Sequence, residues 1–218
     1  MLSTVFRLVC LVLMTFVVTA RAANPTTNPN QGATMPATQK AAFAGGCFWG
    51  TEAMFRKVPG VISTQVGYAG GTTDNPTYRA VCTGLTGHAE SVQVTYDPAK
   101  VSYAELLDAF WSMHDPTTVD RQGPDHGSQY RSVVFTADDE QAKIASASKK
   151  EVEDSGVFKE RGKIVTQIVK LEKFYPAEDY HQQYFEKAGE AESCHVGIAH
   201  VHTKLAAAAA QDRQQKAH

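Results

Sequence analysis

The sequence predicts one mixed α and β domain built on a single sheet. Two observations carry this. Segments with the two-residue period of a strand alternate with segments of helical period. Glu90 to Tyr96 alternates polar and apolar, while Tyr103, Leu106, Leu107 and Phe110 fall on one helical face at i, i+3, i+4 and i+7. The connections are also long enough for crossovers, so helices pack on a mixed sheet. A chain of 218 residues suffices for one such domain. A net charge of −2 gives no basic footprint for nucleic acid.

At the amino end, Arg7 precedes an apolar run from Leu8 to Thr19, and Ala20-Arg21-Ala22 fits a small-x-small cleavage site. The run is shorter than the roughly 18 residues of a membrane span. Residues 1–23 are therefore expected to be a signal peptide, and the protein to be exported, to a periplasm or outside the cell, with no stable membrane contact after cleavage. A retained anchor is the alternative. Cys10 lies inside the apolar run rather than after it, which argues against lipid modification. Residues 24–38, rich in Asn, Thr, Pro and Gln, are expected to be a flexible linker. A catalytic domain is expected over 39–205 and an Ala-rich tail, frayed helix or disordered, over 206–218.

Ala41-Ala42-Phe43-Ala44 reads as the end of a buried strand, followed by Gly45-Gly46-Cys47-Phe48-Trp49-Gly50 and a helix that Pro59-Gly60 stops. Cys47 is thereby placed on a strand-to-helix turn at a helix N-terminus, where free N–H groups favour a thiolate. Phe48 and Trp49 set two aromatic faces beside the sulfur. A nucleophile beside an apolar wall suits a substrate with a small apolar group next to a polar, reducible centre.

Val61 to Tyr68 is expected to be a strand, and Asp74-Asn75-Pro76 a turn. Glu90 opens the next strand, which Asp97-Pro98 ends. Glutamate is a poor strand former; it is there either as an exposed edge charge or as a carboxyl held partly dry, its proton available. Ser102-x-x-Glu105 is a capping box. A long polar loop, Thr117 to Gln129, follows the helix that Asp115-Pro116 ends, and loops of that length are often functional. Ser132 to Phe135 reads as a short strand, Thr136 as the cap of a helix over 137–155 that stops at Gly156, Lys163 to Leu171 as a half-exposed strand, and Ala177 to Ala188 as holding one short helix.

Gly-Cys-Phe-Trp-Gly resembles the active-site signature of the peptide methionine sulfoxide reductase A family. Further segments match in the same order: Gly67-Tyr68-Ala69-Gly70-Gly71, Asn75-Pro76-Thr77-Tyr78, Thr86-Gly87-His88-Ala89-Glu90, the run from Phe110 to Pro116, the run from Asp125 to Ser132, and His181-Gln182-Gln183-Tyr184. The resemblance covers about residues 38 to 202. It implies an α+β two-layer sandwich, a mixed sheet with a ferredoxin-like core and a long irregular C-terminal segment. It implies reduction of methionine-(S)-sulfoxide, free or in proteins, recycled by a thioredoxin-like donor, with no cofactor and a monomeric enzyme.

Residue by residue, the resemblance makes Cys47 the nucleophile, Glu90 the proton donor, Tyr78 and Tyr130 hydrogen-bond donors to the sulfoxide oxygen, and Asp125 an acidic active-site position. Packing or turn formation is the alternative for the last three. Phe48 and Trp49 would cup the substrate methyl, with core packing as the alternative. Family members often carry two recycling cysteines near the C-terminus. Cys194 matches the first, and no cysteine follows it. Cys47 and Cys194 are then the reactive pair, and Cys82 is left as a small buried residue. His195, His200 and His202 beside Cys194 lack a clean zinc spacing, so no metal is expected. A general thiol peroxidase or disulfide exchanger is the competing enzyme, and a non-catalytic module that binds oxidised methionine is the competing binder; Cys194 argues against the latter. Mass spectrometry of protein from its native cell should show a chain starting near Ala23 or Asn24, whereas an intact Met1 in a soluble cytoplasmic fraction would reject the signal peptide.

Overall fold

The computed structural model describes residues 37–189, 201 and 203–216. The expected signal peptide, nearly all of the linker, and Cys194 with His195, His200 and His202 lie outside the described residues. Among those described, no helix is long and apolar enough to cross a membrane.

The core begins with β1 (Gln39–Gly45), α1 (Phe48–Arg56), β2 (Val61–Ala69), α2 (Tyr78–Cys82), β3 (Ala89–Tyr96) and α3 (Tyr103–Met113). After two short strands, β4 (Arg121–Gln122) and β5 (Asp125–His126), come β6 (Ser132–Thr136), α4 (Asp139–Ser155), β7 (Gln167–Lys170), β8 (Phe174–Pro176), α5 (Tyr184–Ala188) and α6 (Lys204–Lys216). The main sheet runs β7-β6-β1-β3-β2-β8. Its four central strands, β6-β1-β3-β2, are all antiparallel neighbours, and in chain order they give the β-α-β-β-α-β pattern of a ferredoxin-like core. β7 joins β6 in parallel through the α4 crossover, which makes the sheet mixed, and β8 adds antiparallel to β2.

The apolar face of α3 packs where its period predicts: Leu106, Leu107 and Phe110 have no exposure. Phe43 of β1 stacks on Phe55 of α1 at 4.8 Å and on Phe110 of α3 at 5.3 Å between ring centres. Those three rings lock the strand that leads to Cys47 against both helices flanking it, which fixes the turn between β1 and α1. The Ser102–Glu105 capping box is present in full.

Five details differ from the sequence reading. The stretch from Thr117 to Gln129 is not structureless: β4 and β5 pair as a small hairpin, and Ser128–Tyr130 forms a 3-10 turn. The cap of α4 is Asp138, not Thr136, because its carboxylate accepts the Gln141 N–H at 2.8 Å. Cys82 is exposed rather than buried, since it ends a five-residue surface helix of which only Val81 is buried. The strand β8 and the helix α2 were not foreseen.

The Ala-rich end is a helix, α6, docked on α3. Alanine has no amphipathic pattern to announce this; polar anchors set the position. The buried carboxylate of Asp108 accepts both the N–H of Thr203 at 3.0 Å and its hydroxyl at 2.8 Å. Ser112 accepts the N–H of Val201, and Arg213 reaches Glu105 at 2.7 Å. Asp108→Ala should therefore destabilise the fold by about 2–4 kcal/mol, the scale for hydrogen bonds to a charged group left unmade, as read from the shift in urea midpoint.

Candidate active site

Cys47 stands where β1 ends and α1 begins. Gly46 takes φ 98°, a conformation open to glycine, and Gly45 lies under the rings of His114 and Phe110, which a Cβ there would meet at 3.4 Å. Cys47 is the N-cap of α1, 9% exposed, and its carbonyl accepts from the N–H and the hydroxyl of Thr51. The next backbone N–H, that of Phe48, donates to Oε2 of Glu90 at 3.0 Å. The helix N-terminus thus holds a carboxyl group one residue from the sulfur. Glu90 is 2% exposed on β3, opposite Tyr68 of β2. The bland reading, an exposed edge charge, does not hold: β3 is an interior strand.

Tyr78 opens α2, with Thr77 as its cap, and its ring lies 6.4 Å from that of Phe48. Burial, and then a hydrogen bond with the Cys82 thiol, push its phenol well above the ordinary tyrosine range. Tyr130 sits in the 3-10 turn; burial, then the charges of Glu90, Asp125 and Cys47, push its phenol up as well. Both phenols keep their protons and serve as donors. The charges of Glu90, Asp125, Cys47 and Cys82 all act on the Tyr130 phenol. Asp125 is half-buried at the head of β5.

Phe48 is buried, with 1% exposure, whereas Trp49 is only partly buried. A segment over residues 178–184 wraps the aromatic pair. Tyr184 stacks face to face on Trp49 at 3.8 Å with an 8° angle between planes. The indole N–H of Trp49 donates to Nδ1 of His181 at 3.1 Å. His181 also lies against Phe48 and Tyr78, with ring centres 5.0 and 4.4 Å away. Because Nδ1 accepts, the imidazole is neutral with its proton on Nε2, which is buried 4.0 Å from Oε2 of Glu178. Burial lowers the pKa of His181 against the opposing pull of Glu178. Glu178 itself accepts from the hydroxyl of Tyr68 and from the N–H of Tyr78, so it carries the start of α2.

The expected site residues fall into two groups. Cys47, Phe48, Trp49, Glu90, Tyr78, Tyr130 and Asp125 are brought to one region. Cys194 lies outside the described residues. His181, Tyr184 and Glu178 had no role in the sequence reading; His181 and Tyr184 stood in a matched segment, but its polar pattern carried no chemical signal. Among the described residues, no group of three or more His, Cys, Asp or Glu side chains comes together to hold a metal.

A cysteine capping a helix, with a buried carboxyl on the adjacent N–H, two protonated tyrosines and an aromatic wall, defines a thiol-dependent reductase site. A family model described as peptide methionine sulfoxide reductase matches residues 39–214, and the chain belongs to that family. It is 61% identical over 149 residues to peptide methionine sulfoxide reductase MsrA of Methanothermobacter thermautotrophicus, covering 68% of this chain and 87% of the relative. It is 59% identical over 162 residues to the MsrA of Methanosarcina acetivorans, covering 74% and 82%. Among solved structures it resembles methionine sulfoxide reductase A of Corynebacterium diphtheriae, with a TM-score of 0.69, 41% identity, and 76% and 83% of the two chains covered. Reduced Mxr1 of Saccharomyces cerevisiae gives a TM-score of 0.67 at 38% identity, with 74% and 93% covered.

The neutral His181 yields a pH prediction. Its folded-state pKa lies below the ordinary 6.5, so on acidification the unfolded chain takes up the proton first. The stability it contributes is complete above that value and is lost as pH falls from 6.5 toward the lowered one. Urea midpoints above and below this window should differ less in His181→Asn than in the unmodified protein; an equal difference would show that His181 does not titrate between the two states.

Proposed function

We propose that this chain reduces methionine-(S)-sulfoxide, free or in proteins, to methionine. The observation that carries this is the burial of Glu90, 2% exposed and held by the Phe48 N–H at 3.0 Å, which places a carboxyl withdrawn from water beside the nucleophile's own residue. Cys47 attacks the substrate sulfur while Glu90 supplies a proton to the oxygen. Tyr78 and Tyr130, both protonated, donate hydrogen bonds to that oxygen as charge builds on it. The partly exposed face of Trp49, backed by Phe48, receives the S-methyl group. The S–O bond of the substrate and the new Cys47–substrate S–S bond then break, the protonated oxygen passes to the Cys47 sulfur, methionine leaves, and Cys47 is left as a sulfenic acid. Asp125 adds a carboxyl whose charge, after burial and Glu90, helps raise the Tyr130 phenol.

Cys194 then condenses with the sulfenic acid, releasing water and forming a Cys47–Cys194 disulfide, which a thioredoxin-like dithiol reduces. This step rests on the family pattern of the C-terminal cysteine, which Cys194 matches. The enzyme acts as a monomer, and the apolar run with Ala20-Arg21-Ala22 supports export to a periplasm or the exterior.

Cys47→Ser should abolish reduction. Glu90→Gln should fold and slow the chemical step about 10²- to 10⁴-fold. Cys194→Ser should still yield one equivalent of methionine and then stall with a sulfenic acid that dimedone traps; a small thiol should restore turnover and thioredoxin should not. The exposed Cys82 makes peptide mapping decisive: the oxidised protein should contain Cys47 joined to Cys194, and a Cys47–Cys82 bridge would overturn the recycling route.

A further inference from the structure

The mechanism leaves one buried carboxyl next to the site unused. Glu52 lies on α1, one turn beyond Phe48, and is 1% exposed. Withdrawing a carboxyl from water is costly, and its burial raises the pKa of Glu52, an effect that bonds from Thr64 and Gln183 counter. Its two oxygens have separate partners. Oε1 accepts from the hydroxyl of Thr64 on β2 at 2.8 Å, and Oε2 accepts from the backbone N–H of Gln183 at 2.7 Å.

Gln183 is the informative partner. It adopts φ 51° and ψ 46°, a left-handed conformation that residues with a side chain seldom take. It also sits between the two residues that hold Trp49: His181, which accepts the indole N–H, and Tyr184, which stacks on the indole ring. Trp49, Glu52 and Arg56 share a face of α1 at i, i+3 and i+7, and each meets the chain between His181 and Glu186. The outermost contact, Arg56 with Glu186, is exposed and contributes little. The middle contact is buried and acts on the backbone of the strained residue.

We propose that Glu52 is a positioning residue for the methyl pocket: its carboxylate holds Gln183 in the left-handed turn and so sets Tyr184 and His181 against Trp49. Without that acceptor, Gln183 relaxes toward ordinary backbone angles, Tyr184 turns off the indole, and the wall that meets the S-methyl group loosens. Glu52 touches no reacting atom. Its removal therefore alters selectivity and substrate affinity more than the chemical step. This rests on the assignment of Trp49 as the methyl wall.

The test compares kcat and KM for peptides carrying methionine sulfoxide or its S-ethyl homologue. The unmodified enzyme should favour the methyl compound by about 10- to 200-fold, the range for one methylene in an apolar pocket. Glu52→Met, of similar length but without an acceptor, should cut that ratio by about fivefold or more, chiefly through KM, with the alkylation rate of Cys47 unchanged. Glu52→Gln should keep the ratio, because its amide oxygen still accepts from Gln183 and its NH2 can donate to Thr64. A folded Glu52→Met with the unmodified ratio, even at lower thermal stability, overturns the proposal. So does a Glu52→Gln that loses the ratio equally, which would assign the effect to charge. Should Glu52→Met not fold, Glu52→Asp decides in the same way: it keeps the buried charge but is one methylene short of Gln183. Failure of the unmodified enzyme to reduce either sulfoxide would instead reject the functional reading itself.

Discussion

The hydrogen bond from the Phe48 N–H to the buried Glu90 carboxyl is the contact on which the arrangement turns. It joins the first residue of α1 to the second residue of β3, 42 positions apart in the chain. A helix N-terminus carries unsatisfied N–H groups and a partial positive charge, and a carboxyl group is a natural partner for both. Cys47 stands at the N-cap position of the same helix. The thiol-bearing residue and the buried carboxyl are thus referred to one rigid end, and the aromatic stack of Phe43, Phe55 and Phe110 holds the strand that leads into it.

Around this point the chain closes a second time. Gln182 acts as an extra strand partner for β2: its side-chain carbonyl accepts the N–H of Val66 at 2.8 Å, and its NH2 donates to the carbonyls of Val66 and Ala177. The segment so fixed delivers His181 and Tyr184 to Trp49, while Glu178 fixes the start of α2 and with it Tyr78. A polar stretch late in the sequence therefore builds the apolar wall of the site by aiming residues that lie far earlier.

The division between what the sequence disclosed and what it hid follows the range of the interactions. The Gly-Gly-Cys turn, the α3 stripe and its capping box are local patterns, and each was legible. Glu90 was half legible: a charged residue in a strand marked the position and left an exposed edge charge or a dry carboxyl open, and the structure shows the carboxyl buried. The docking of α6 and the hold of the 178–184 segment on α1 were not legible, because single polar bonds between residues about a hundred positions apart determine them; Asp108 with Thr203 and Trp49 with His181 are examples. Cys82 was misjudged because cysteine is usually buried, and nothing in the sequence showed that α2 is a short surface helix.

The central claim is that Cys47, Glu90 and the Trp49 wall together act on one sulfoxide geometry. A turnover assay on the two separated epimers of a methionine sulfoxide peptide tests it most directly. The account predicts reduction of the S epimer with matching oxidation of Cys47, and no reduction of the R epimer. Equal rates on both epimers, or reduction of peroxide but of neither sulfoxide, would contradict it.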